Sequence, residues 1–294
     1  MSKKVFLLST FTQGAYSHVI RKVLMNNGYR VMIFDPRNSI QRNGQAATNR
    51  ELVQLLDLFE PDVLLALKGR GIDEKIIANA PFKTVNWWLD HYQRYSDFHK
   101  YYEAYDKTYL CESDQGYDWM SIGIDPELHK PTPSEVPEFQ SDVVFAGTAH
   151  TRRTANIVNI LRNMPWDSKI WGNGWNKDIP IWQGRAAYWQ ELMAIYTNSK
   201  IVLNSHYHKG ITPNMRCIEA PAAGTMMLSD TGSGLESVLK MGTEYVPYSS
   251  TREAKQMIAK YLEETDEREK IAHAGYERVI SDHLLINKLE AMFK

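Results

Sequence analysis

Three polar residues close together carry the most chemistry in this 294-residue chain: Asn214, Arg216 and Glu219, in the stretch Asn204 to Asp230. A buried strand, Lys200 to Leu203, is expected before it. A helix is expected over Asn214–Ala223, stopped by Gly224, and a second strand over Thr225–Leu228, ending in Ser229-Asp230. A helix start offers unpaired N–H groups and about half a positive charge to a phosphate. Arg216 in the first turn adds a cation whose fork suits phosphate oxygens. Glu219, one turn on, can accept hydrogen bonds from sugar hydroxyls. Read blandly, the pair is a helix i,i+3 contact worth a few tenths of a kcal/mol.

The ends of other expected strands supply the remaining candidates, because ligands in α/β sheets bind at strand carboxyl ends. Gly147-Thr148 follows the run Val143 to Ala146 and precedes a helix with Arg152 and Arg153. Its backbone can approach a diphosphate that an arginine neutralises; otherwise it is a tight turn. Trp171-Gly172-Asn173-Gly174-Trp175 either edges a nucleobase or is a turn between two core tryptophans. Asp230 ends the strand that begins at Thr225. Asp90-His91 ends the strand Thr84–Leu89, where an aspartate can take a proton from an attacking hydroxyl. His18, four residues after Gly14, is a second acid/base candidate, balanced against an ordinary structural histidine. His206 and His208 stand at i,i+2 without a nearby carboxylate in sequence, so no metal site is expected. G-x-G-x-x-G and G-x-x-x-x-G-K-[ST] are both absent, which argues against a nicotinamide fingerprint and a P-loop.

Apolar runs alternating with amphipathic segments must position these groups, which implies α/β architecture with parallel sheets and right-handed crossovers. Five strands are expected before Cys111, with a polar loop from Asp35-Pro36 to Ala47 and helices over Tyr95–Tyr105 and Asp114–Met120. Pro126, Pro131, Pro133 and Pro137 then interrupt the pattern and mark a linker, since proline fits neither a helix interior nor a central strand. The alternation resumes at Asp142. The expected division is an acceptor-binding lobe over 1–137, a donor lobe over 138–275 and a C-terminal helix over 276–294.

A net charge of −1 gives no overall attraction to nucleic acid or anionic membrane. The first lobe does interleave Lys68, Arg70, Arg94 and Lys100 with Tyr92, Tyr95, Tyr101 and Tyr102, a mixture that can hold nucleic acid but more commonly covers a tyrosine-rich core. Cys111 and Cys217 fit buried free thiols in a reducing compartment. The run Val5–Leu8 is too short for a signal peptide, and no segment approaches the roughly 20 apolar residues of a membrane span. A cytoplasmic location is expected.

Asn214-x-Arg216-x-x-Glu219-Ala220-x-Ala222-x-Gly224, followed by Leu228-Ser229-Asp230, resembles the core of the spore-maturation CgeB-like glycosyltransferases. The resemblance takes in Val143–Thr148, Trp171–Trp175, Gly242-x-Glu244-Tyr245 and Glu267-Arg268 through Arg278-Val279, and so nearly all of the C-terminal half. It implies GT-B architecture: two Rossmann-like lobes facing a cleft, the last helix returning to the first lobe. It implies a metal-independent hexosyl- or pentosyltransferase acting on a nucleotide-diphosphate sugar, expected to be a UDP-sugar, with no further cofactor. The acceptor classes it leaves open are a glycan, a protein, a small molecule or a modified DNA base. Alternatives are a non-catalytic nucleotide-sugar or glycan binder of surface assembly, and a GT-B nucleotide-sugar epimerase. Many such enzymes carry E-x7-E, the second glutamate on the donor ribose; counted from Glu219 that place holds Met227, so the resemblance leaves ribose contact to Asp230 or a backbone group.

Overall fold

The structure is a computed structural model describing residues 2–112, 116–206, 213–231 and 234–294, with the backbone alone at 151 and 152. It divides into two compact units, one of Met1–Ile122 with Leu285–Lys294, the other of Gly123–Leu284.

The first unit runs β1 (Lys4–Leu8), α1 (Tyr16–Asn26), β2 (Arg30–Phe34), α2 (Pro36–Asn43), α3 (Gln45–Phe59), β3 (Val63–Leu67), α4 (Glu74–Ala78), β4 (Lys83–Trp88), α5 (Phe98–Glu103) and β5 (Lys107–Leu110). All five strands are parallel, in the order β2-β1-β3-β4-β5. Val5, Phe6 and Leu7 of β1 are fully buried, as a parallel strand covered on both faces requires. Because β1 lies between β2 and β3, the chain leaves it first to one side and then to the other. That switch point opens a crevice at the strand carboxyl ends.

Three elements differ from the sequence expectation. The stretch after Asp35 is helical, not a loop. Asp35 caps α2 by accepting from the Asn38 N–H at 3.1 Å, Pro36 opens it, and Gly44 at φ 79° closes it. The helix meets α3 through polar contacts, Thr48 Oγ1 to Ser39 Oγ at 3.0 Å and Ser39 Oγ to Glu51 at 2.5 Å. It therefore carries no apolar stripe for periodicity to find. The helix expected over Asp114–Met120 is not helical at 116–120; 113–115 lie outside the described residues. There the Leu110 N–H bonds Asp118 O and the Met120 N–H bonds Leu110 O, both at 2.8 Å, so the segment pairs with the free edge of β5. The helix expected over Tyr95–Tyr105 is confined to α5, after a 3₁₀ turn at Tyr92–Arg94.

The second unit runs β6 (Ser141–Ala146), α6 (Thr151–Leu161), β7 (Ser168–Trp171), α7 (Trp189–Thr197), β8 (Ser199–Asn204), α8 (Arg216–Ala222), β9 (Met226–Asp230), β10 (Val246–Tyr248), α9 (Thr251–Glu263) and α10 (Thr265–Asp282). Its parallel order, β7-β6-β8-β9-β10, repeats that of the first unit. The switch point is between β6 and β8. The proline-rich segment belongs to this unit: Thr132 N–H bonds Thr197 Oγ1 at 2.9 Å and Ser134 N–H bonds Asn198 Oδ1 at 3.1 Å. The division of the chain accordingly falls ahead of the prolines. The last helix, α11 (Leu285–Met292), packs on α1 in the first unit, where Lys288 Nζ reaches Ser121 Oγ at 2.6 Å. Among the described residues no helix is long and apolar enough to cross a membrane.

Candidate functional site

The β6/β8 switch point holds a cavity of about 330 Å³, at the small end of ligand sites. Gly147, Thr148, Arg153, Gly172, Asn214, Arg216 and Glu219, from three separate parts of the sequence, all line it. So do His150, Tyr188 and Tyr196, which the sequence reading had not singled out.

Arg216 is its centre. The side chain is 7% exposed, lies over the Phe145 ring at 4.4 Å, and donates Nε–H to Ala146 O at 3.0 Å. Its Nη2 also donates to Ala146 O, and Nη1 to Asn204 Oδ1. These partners are neutral, so the guanidinium keeps its full positive charge at the cavity. Asn214 fixes the approach: its Nδ2 donates to Asn204 Oδ1 at 3.0 Å while its Oδ1 accepts the Arg216 N–H at 3.1 Å. In this way the end of β8 and the start of α8 are joined by one buried amide network.

Glycine is required at two points of the wall. A Cβ on Gly147 would meet Arg216 Nη2 at 2.6 Å and the Phe145 ring at 3.2 Å, so only glycine leaves room for the guanidinium. Gly172, at φ 143°, passes so close to Gly147 that a Cβ would stand 2.0 Å from the Gly147 carbonyl oxygen. Two tryptophans that follow Gly172 pin this crossing: Trp175 Nε1–H bonds Gly147 O and Trp182 Nε1–H bonds Gly172 O, both at 2.9 Å. Trp171 lines the cavity although it is 0% exposed, whereas Trp175, 4% exposed, packs in the core, and the half-buried Tyr188 supplies the accessible aromatic ring of the wall. Gly174 turns the loop at φ 78° and is not part of the wall.

Among the described residues, Glu219 is the one carboxylate lining this cavity, and its side chain makes no hydrogen bond there. Burial raises its pKa to about 7, against the opposing pull of Arg216. Met227 is fully buried within β9, where a carboxylate would face the core, and it does not line the cavity. Asp230 does not line the cavity. It holds His206, with Nδ1 to Oδ1 at 2.6 Å and the His206 N–H also bound. Burial disfavours the imidazolium and is the largest single influence, yet Asp230 and the Cys217 sulfur together outweigh it and lift the His206 pKa to about 9. The proximity of this carboxylate depends on β8 and β9 being neighbours, which sequence spacing does not reveal. His208 and the Arg152 side chain lie outside the described residues, and Arg153 donates to Thr148 O. No cluster that could hold a metal is present among the described residues.

Glu219 and His206 both have pKa values raised above those of the unfolded chain, so each binds its proton more readily when folded. The stability they contribute is complete below the unfolded pKa and is lost as pH rises through the folded one. For Glu219 the window is pH 4.5 to about 7, and for His206 it is pH 6.5 to about 9. A melting-temperature profile from pH 5 to 9 should therefore fall. Glu219→Gln should flatten the lower part and Asp230→Asn the upper. Water at the cavity mouth limits the Glu219 loss to about 1–2 kcal/mol.

In the first unit a second cavity, of about 750 Å³, occupies the β1/β3 switch point and includes Asp90. Asp90 accepts from Lys68 Nζ at 2.7 Å and from Tyr95 Oη at 2.5 Å. Burial would raise its pKa, but Lys68 and Tyr95 more than offset this and keep it ionised, below the usual carboxylate range. His91 points elsewhere, to the buried Glu112 at 3.0 Å, and His18 packs edge-on against Phe11; neither lines the cavity. Cys111 and Cys217 are buried free thiols.

Residues 152–294, just under half the chain, match a family model described as glycosyl transferase-like. No curated protein matches the chain. Among solved structures, HepE of Anabaena in complex with UDP and glucose superposes with a TM-score of 0.72 at 10% identity, covering 99% of this chain and 98% of that one. Sucrose-phosphate synthase from Thermosynechococcus elongatus gives 0.72 at 12% identity, covering 99% and 97%. A glycosyltransferase from Rickettsia africae gives 0.70 at 13% identity, covering 99% and 96%. At such identities the likeness establishes the fold.

Proposed function

We propose that this GT-B chain, glycosyl transferase-like in its C-terminal half, is a CgeB-like glycosyltransferase that moves a sugar from a nucleotide-diphosphate donor to a hydroxyl. The observation that carries the reading is the buried Arg216, charged, held by neutral partners and kept clear by Gly147, with Glu219 one turn away on the same cavity. A site of that kind suits a diphosphate and the ribose beside it. The diphosphate would rest against Arg216 and the Gly147–Thr148 backbone, with Glu219 accepting from the ribose hydroxyls. The Tyr188 ring offers a face for the base. Charge that builds on the departing diphosphate would be met by a guanidinium already in place.

The acceptor would bind in the first-unit cavity. Asp90, ionised and oriented by Lys68 and Tyr95, would receive the hydroxyl hydrogen bond and align the attacking oxygen. A UDP-sugar is the donor this reading favours, with the metal's usual role on the diphosphate left to Arg216. Support for UDP comes from the neighbour crystallised with UDP and glucose.

The test is release of nucleoside diphosphate from a panel of nucleotide sugars in metal-free buffer, with sugar products analysed alongside. Asp90→Asn should lower turnover by about 10²-fold and leave UDP affinity unchanged. Equal turnover in that variant would remove Asp90 from the reaction. Binding without release, with every acceptor class supplied, would favour a non-catalytic nucleotide-sugar binder; isomerised donor would indicate an epimerase.

A further inference from the structure

The first-unit cavity has a charge pattern of its own. Arg37, Lys68 and Arg70 line it against two carboxylates, Asp90 and Asp97. Each carboxylate is already matched, Asp90 by Lys68 at 2.7 Å and Asp97 by Arg70 at 2.8 Å. Arg37 is exposed and has no hydrogen bond or ion pair among the described residues. One positive charge therefore stands over. It stands in a costly place, because Arg37 is in the first turn of α2, where the helix dipole opposes a cation.

The loop that presents Lys68 and Arg70 is also held against its own preferences. Lys68 takes φ 67°, a left-handed conformation that costs a non-glycine residue about 1 kcal/mol or more. Gly69 follows at φ 59°, and a Cβ there would collide with the buried Tyr105 hydroxyl at 2.2 Å. Arg70 then stacks on Tyr95 at 4.7 Å, so that both basic side chains converge on the Asp90–Tyr95 pair. Strain of this sort persists where the surrounding structure over-determines it, and it concentrates at ligand sites.

We infer that the first-unit cavity takes a small acceptor bearing a phosphomonoester, whose phosphate is met by Arg37 with the Lys68–Arg70 loop behind it and whose hydroxyl is directed to Asp90. The cavity volume, about 750 Å³, suits a sugar phosphate or mononucleotide. The inference rests on reading this cavity as the acceptor site of a transferase.

Isothermal titration tests it with inorganic phosphate, ribose 5-phosphate and glucose 6-phosphate, each sugar phosphate beside its unphosphorylated sugar. UDP is titrated in parallel, and Arg37→Ala and Arg216→Ala are compared with the wild type. The expected result is binding of phosphate esters at least tenfold tighter than of the neutral sugars. Arg37→Ala should weaken it about tenfold, the scale of one charged hydrogen bond. Arg216→Ala should leave it unchanged. Esters that bind no better than neutral sugars, or not at all, would overturn the inference. So would phosphate binding that falls in Arg216→Ala but not in Arg37→Ala, which would assign the anion to the second unit. Arg37-dependent binding of DNA without binding of any small phosphate would equally overturn it. Loss of UDP binding alone, with Arg37-dependent phosphate binding retained, would sink the donor reading and leave this one standing.

Discussion

Arg216→Ala is expected to lower kcat/KM for the nucleotide sugar by about 10²–10³-fold, the range seen when a preorganised donor to a developing negative charge is removed. The guanidinium is fixed before any ligand arrives, by Ala146 O, Asn204 Oδ1 and the face of Phe145. On the proposed reading, little would have to reorganise as a diphosphate left. Arg216→Lys should recover little, because an ammonium cannot span both protein acceptors and still point at a phosphate. Steady-state kinetics with UDP release as the readout, accompanied by a melting curve, separates lost catalysis from lost folding. Arg216→Ala leaves the Asn214 to Asn204 hydrogen bond in place, so the amide network at the end of β8 survives. A variant that folds and retains more than a tenth of the wild-type kcat/KM would remove Arg216 from its assigned role.

Gly172→Ala is expected to be the most damaging methyl group that could be added near the site, at about 3–4 kcal/mol. The added carbon would lie 2.0 Å from the Gly147 oxygen and 2.6 Å from its carbon, and both are backbone atoms. At φ 143° the substitution is strained even without the collision. Relief would have to part β6 from β7 where the Gly147 N–H bonds Trp171 O at 2.8 Å. Gly174→Ala is the matched control. It too has a positive φ, 78°, but the nearest atom to its Cβ is 3.7 Å away, so it should cost about 1 kcal/mol. Urea unfolding of the two variants gives the comparison directly. Equal losses would show that the close backbone approach at Gly172 is not what demands glycine.

The two sheets and the second-unit cavity were readable from the chain because they rest on local signals. Buried strands such as Val5–Leu8 and Ile201–Leu203 are continuous apolar runs, and Gly147, Arg216 and Glu219 sit at strand ends and in a first helical turn. What was hidden depends on long-range pairing. α2 packs through Ser39 and Thr48 rather than through an apolar stripe, so periodicity passed over it. The carboxylate partner of His206 is 24 residues away and is brought in only by the adjacency of β8 and β9. Lys68 reaches Asp90 through the neighbouring ends of β3 and β4. Counting E-x7-E forward from Glu219 led to Met227, a position that burial within β9 closes to any ligand. Trp171 and Trp175 offer themselves as base-stacking rings by type, and only the structure shows that both are buried and that the Trp175 indole braces the glycine crossing. Arg37 gives no signal in sequence, since what marks it is the lack of a hydrogen bond or ion pair among the described residues.

A metal-free thermal-shift panel of UDP, GDP, TDP, CDP and ADP sugars, run on the wild type and on Arg216→Ala, tests most directly that the second-unit cavity is a nucleotide-sugar site. One nucleotide should stabilise the wild type, by about 2.7 kcal/mol at 100 times its dissociation constant, and Arg216→Ala should lose the effect. Stabilisation by none of them, or stabilisation that survives in Arg216→Ala, would contradict the assignment.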